Sequence, residues 1–112
     1  MKIVVTAQGT DLSSFIDPRF GRCRYFLLVD TDLMRVEALP NQAQQAAGGA
    51  GIQAAQFVAE RGVQAVITGS VGPNADEVLK KANIPVYRAA GTVQTAVEKF
   101  KDGKLPQGGG KE

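Results

Sequence analysis

The sequence contains no histidine. Acid–base chemistry run by imidazole, and any metal site built on imidazole ligands, are therefore excluded. There is one cysteine, Cys23, so no internal disulfide can form, in keeping with a reducing compartment. A lone thiolate also cannot close a tetrahedral metal site; it could at most anchor or shield a preassembled cluster. No apolar run approaches the roughly 18 residues of a membrane span. The opening Met1-Lys2-Ile3-Val4-Val5 leads straight into a strand pattern without a signal-peptide cleavage site, so a cytoplasmic protein with no membrane partner is expected. Surplus charge is small. The 13 Lys and Arg stand against 11 Asp and Glu, a net +2 that does not describe a nucleic-acid binder. The phosphate-binding pattern G-x-x-x-x-G-K-[ST] is missing, which disfavours nucleotide hydrolysis. The first strand, with Ile3, Val4, Val5 and Thr6, offers no aspartate for a metal-dependent nuclease.

What is present describes one domain. With 112 residues, 44% of them hydrophobic and 21% charged, the chain can build a single core. β-Branched runs predict strands at Lys2 to Thr6, Arg24 to Asp30, Leu33 to Leu39, Val63 to Thr68 and Ile84 to Tyr87. Thr31-Asp32 reads as a tight hairpin turn. Helices are expected over 51–61 with Ile52, Ala55 and Ala59 inward, from a capping box of Asn74 and Glu77 with Val78, Leu79 and Ala82 inward, and from Thr92 with Val93, Ala96, Val97 and Phe100 inward. Residues 41–50 read as a mobile loop, 1–103 as the domain and 104–112 as a disordered tail. Right-handed crossovers then give an α/β fold with a five-stranded mixed sheet, in which loops 7–23, 40–51, 69–74 and 88–91 gather at the carboxyl edge.

That edge is expected to favour an anion. Three helices start there, near Gly51, Asn74 and Thr92, each presenting unpaired N–H groups and a partial positive charge. Arg19 and Arg22 add guanidinium groups, with Arg24 and Arg88 nearby. Cys23, flanked by Arg22 and Arg24, is a candidate thiolate because neighbouring cations lower a thiol's pKa. Gly49-Ala50-Gly51-Ile52-Gln53-Ala54 spells G-x-G-x-x-A, the dinucleotide fingerprint. Gly49 lies ten positions after Leu39, however, and Gly69-Ser70 stand where a ribose-binding acid belongs, so the run reads as a loop entering a helix.

Asp17-Pro18-Arg19-Phe20-Gly21-Arg22 ahead of the second strand, Gly48-Gly49-Ala50-Gly51, and Gly62 to Gly69 followed by Gly72-Pro73-Asn74-Ala75, taken with the Met-Lys-Ile-Val-Val start, resemble the dinitrogenase iron–molybdenum cofactor biosynthesis family. The likeness runs from residue 1 to about 100 and is strongest to the family's small members that carry a molybdenum–copper sulfide cluster. It implies a three-layer ribonuclease-H-like fold and a non-enzymatic role in binding or carrying an anionic metal–sulfur cluster. The cluster would be contacted by Arg19, Phe20, Gly21, Arg22, Cys23, Gly49, Gly51, Gly72 and Asn74, with Cys23 the one candidate metal contact. A cluster-receiving protein is the implied partner and a monomer the expected state. Many members carry a histidine before Phe-Gly or in the glycine-rich loop; Arg19 and Gln44-Gln45-Ala46 stand in those places here, so histidine ligation is impossible. Two other functions compete on the residues alone: a regulatory module binding a phosphorylated metabolite or nucleotide at the same edge, and a protein-interaction module using the hairpin edge or the 41–50 loop.

Overall fold

Ile3, Val4 and Val5 form the centre of the molecule because β-branched side chains alternate there with nothing polar on either face. In the computed structural model, which describes residues 1–108, they lie in β1 (Lys2–Ala7). The chain continues through β2 (Tyr25–Asp30), β3 (Arg35–Pro40), α1 (Ala50–Ala59), β4 (Val66–Thr68), α2 (Pro73–Lys81), β5 (Val86–Arg88) and α3 (Val93–Lys101). The five strands form one sheet in the order β3-β2-β1-β4-β5. β1 pairs antiparallel with β2, as β2 does with β3, whereas β1–β4 and β4–β5 are parallel.

Alternation sorts the core onto the two faces of this sheet. Val4, Phe26, Val66 and Val86 pack with Ala54, Ala55 and Val58 of α1 and Ala75 and Leu79 of α2. Ile3, Val5, Leu27, Val29 and Ile67 pack with Val93, Ala96 and Val97 of α3. The inward faces of α1 and α2 differ in part from the expected ones: Ala54 and Val58 join Ala55 in the core, Ala59 packs against them partly buried, Ile52 stays out of the core, and Ala82 is exposed. Ile52 sits in the opening turn of α1, where the helix emerges from the sheet edge.

Local chemistry explains the other departures. The hairpin turn is four residues long, because Asp30 Oδ1 accepts from the amides of Asp32 and Leu33 and Met34 takes a left-handed φ of 52°. Asp30 therefore pairs with Arg35, a shift of two residues that keeps each side chain on its face. α2 has no capping box: Gly72 is its N-cap and Pro73 fills the first position, where proline's missing N–H costs nothing. β4 is shorter than the run from Val63 to Thr68 that contains it, and β5 starts two residues after Ile84 and runs one past Tyr87, to Arg88. Residues 104–108, expected to open a disordered tail, are instead bonded to β5. Arg88 N–H donates to the Pro106 carbonyl and Gly108 N–H to the Val86 carbonyl, so 104–108 lie along the outer side of β5; residues 109–112 fall outside the described part.

Candidate anion-binding cleft

The long first loop is held in place from end to end. Ile16 bridges Ala7, Phe15 bridges Thr92 and Arg19 bridges Ser70. Beneath it the buried Thr6 hydroxyl lies 2.7 Å from both the Asp17 carbonyl and the Thr68 hydroxyl, which ties the loop to the ends of β1 and β4. Two glycines let it press closer than any side chain would allow. A Cβ on Gly69 would lie 2.6 Å from Pro18 Cα, and one on Gly21 would lie 2.8 Å from Gly51 Cα. The second contact brings the loop backbone against the first turn of α1, whose Gly51 rests in turn on Ala75 of α2.

The result is a cleft of about 270 Å³ between the openings of α1 and α2, lined by Phe20, Gly21, Arg22, Gly49 to Ile52 and Gly72 to Ala75. No side chain caps either helix. The amides of Gly51, Ile52, Asn74 and Ala75 have no acceptor among the described residues, so both helix dipoles end in the cleft with their donors unspent. Arg22, half-buried, borders the cleft; its Nη1 donates to the carbonyls of Gln44 at 2.7 Å and Ala46 at 2.9 Å. The floor is apolar: Phe20 is 2% exposed and meets Phe26 with ring centroids 5.8 Å apart.

Of the residues expected at the site, Phe20, Gly21, Arg22, Gly49, Gly51, Gly72 and Asn74 come together here. Arg19 and Cys23 do not. The Arg19 side chain is exposed, and its amide and Nε donate to the buried Asp17 carboxylate at 3.0 and 3.4 Å. Cys23 lies wholly inside the core, with Asn41 Nδ2 donating to its carbonyl. The expected low-pKa thiolate is overturned: burial, seconded by the charge of Asp17, pushes the thiol up to about 12, and Arg22 spends its charge on the loop carbonyls instead. The third helix start is also lost to any ligand. Val93 and Gln94 amides donate to the carbonyls of Ser14 and Leu12, and the Thr95 amide to Thr92 Oγ1. Arg88 packs against Gly108, and neither it nor Arg24 borders the cleft. Among the described residues no group of three acids or thiols could hold a bare metal ion.

Sequence reasoning missed Asn41. Its side chain bonds the carbonyls of Gly21 and Cys23 and accepts from the Ala43 amide, fixing the root of the loop that leads into α1. An asparagine directly after a strand-ending proline was the available signal.

The family model described as dinitrogenase iron–molybdenum cofactor matches residues 1–103. The chain belongs to the dinitrogenase iron–molybdenum cofactor family. Members of that family handle a metal–sulfur cofactor. The fold is similar to the apo form of the orange protein from Desulfovibrio gigas, with 42% identity, a TM-score of 0.90 and coverage of 96% of this chain and 92% of that one. It is also similar to a Thermotoga protein of the DUF35 family, with 38% identity, a TM-score of 0.81 and coverage of 95% and 91%. An uncharacterized protein of Methanocaldococcus jannaschii, MJ0580, is 34% identical over 109 residues, spanning 94% of this chain and 89% of its own. No helix among the described residues is long and apolar enough to cross a membrane.

Proposed function

We propose that this protein is a non-enzymatic carrier that holds a preformed anionic metal–sulfur cluster, molybdenum-containing and of the molybdenum–copper sulfide type, in the cleft between α1 and α2. The observation that carries the reading is the convergence of uncapped amides from two helices with an arginine in one small cleft that has no carboxylate in its lining. The donor set fits such a cargo. Hydrogen-bond donors suit the sulfide or oxide shell of an anion, while the lack of thiolate, imidazole or carboxylate ligands leaves a naked metal cation nothing to bind. Cys23, buried and protonated, serves packing. Helices on both faces of a sheet ordered β3-β2-β1-β4-β5 also support the three-layer ribonuclease-H-like reading of the fold, and the cluster would pass to a receiving protein.

Titration with tetrathiomolybdate and copper tests the proposal. Visible absorption of the bound cluster should develop, with amide resonances of Gly51, Ile52, Asn74 and Ala75 shifting together. Arg22→Glu should weaken uptake at least tenfold, as loss of a charged hydrogen-bonding partner costs about 1.5–3 kcal/mol. Arg35→Glu, at the far end of the hairpin, should not change it. Shifts confined to the opposite end of the sheet, or stabilisation by nucleotides and not by thiomolybdate, would reject the carrier reading in favour of a phosphometabolite-binding module.

A further inference from the structure

Arg22 belongs both to the cleft and to the loop that leads into α1. A guanidinium carries five N–H donors in a rigid plane. The two on Nη1 are spent on the carbonyls of Gln44 and Ala46, and those on Nε and Nη2 meet no acceptor among the described residues. The loop itself, residues 41–49, contains no charged side chain. It is folded by a short ladder in which the Gln44 amide donates to the Asn41 carbonyl and the Ala46 amide to the Ala43 carbonyl, and it is rooted through Asn41 on Gly21 and Cys23. Among the described residues Arg22 is thus the one charged residue whose side chain clasps it.

Resting on the carrier reading above, we infer that Arg22 couples this loop to the cargo. With the loop closed, its two carbonyls hold the guanidinium in one orientation, and the remaining donors are set in advance for an anion. The rotamer freedom of a long side chain is then lost before binding, not during it, and affinity rises accordingly. Linkage makes the effect mutual: whatever factor loop closure adds to cargo affinity, cargo returns to loop closure. The loop acts as a strap whose tightness depends on occupancy.

Amide hydrogen exchange at Gln44 and Ala46 reads this coupling, because their N–H groups make the bonds that fold the strap. Saturation with tetrathiomolybdate and copper should slow both by about tenfold. Unchanged exchange in protein that has bound the probe overturns the coupling and leaves the carrier reading standing; failure to bind overturns both. Asn41→Ala, outside the cleft, should speed exchange at both amides and weaken probe binding several-fold with Arg22 intact. Faster exchange with unaltered affinity would again refute the coupling. Should that variant not fold, Arg22→Lys keeps the charge but cannot serve the strap and the cleft together, so both readouts should move; neither moving would overturn the inference.

Discussion

Cys23 shows how burial decides what a residue can do. Sequence neighbours made it a candidate ligand, yet its thiol is held near 12 by desolvation, against an ordinary value of 9.0. Since the folded protein retains the proton that the unfolded chain gives up, the contribution of this group to stability is complete below pH 9 and drains away as pH climbs toward 12. Urea midpoints measured from pH 8.5 upward should therefore fall more steeply in the natural protein than in Cys23→Ala, whose thiomolybdate uptake at neutral pH should be undiminished. Gly21 makes a second residue-scale test. Its missing Cβ is a backbone-to-backbone contact with Gly51, so Gly21→Ala should cost about 1–3 kcal/mol and distort the cleft. Gly48→Ala meets nothing within 4 Å and should shift stability by less than about 0.5 kcal/mol in thermal melts.

At the scale of elements, the two outer strands of the sheet are finished differently. β5 is shielded by residues 104–108, which take up its outward groups and lay Leu105 against the α3 side of the core. Ending the chain at Gly103 should remove the two backbone hydrogen bonds to β5, the Lys104 amide bond to the Lys99 carbonyl and the Leu105 contact, lowering stability by about 2–3 kcal/mol in chemical denaturation. It should also produce concentration-dependent association through the bared edge, visible in light scattering. The three helix starts differ in the same way. α3 is closed by Thr92 and by two loop carbonyls, so Thr92→Ala should cost about 1 kcal/mol and leave cargo uptake untouched. The starts of α1 and α2 have no such cover.

For the whole molecule, the five strands, their directions and the gathering of loops at one edge were legible because β-branched runs, glycine turns and crossover handedness each constrain them locally. The glycines of the cleft were legible too, since Gly21, Gly49, Gly51 and Gly72 stand at turns or helix starts where backbone must come close. What escaped the sequence was which donors stay unspent. That Leu12 and Ser14 carbonyls claim α3, that Asp17 claims Arg19, and that Arg22 turns to Gln44 and Ala46 are long-range outcomes of the folded loop. The inward face of α1 was misjudged for a related reason: Ile52 looks like a core residue by type, but its position at the helix opening gives it to the cleft.

That cleft is lined by peptide N–H groups, which do not ionise, and by a guanidinium, so on the carrier reading its grip on cargo would be blind to acidity. Affinity for thiomolybdate with copper should be flat from roughly pH 7 to 9. On that reading unloading would be commanded from outside the chain, by a competing anion, by a rival protein surface, or by a change in the cluster's own charge.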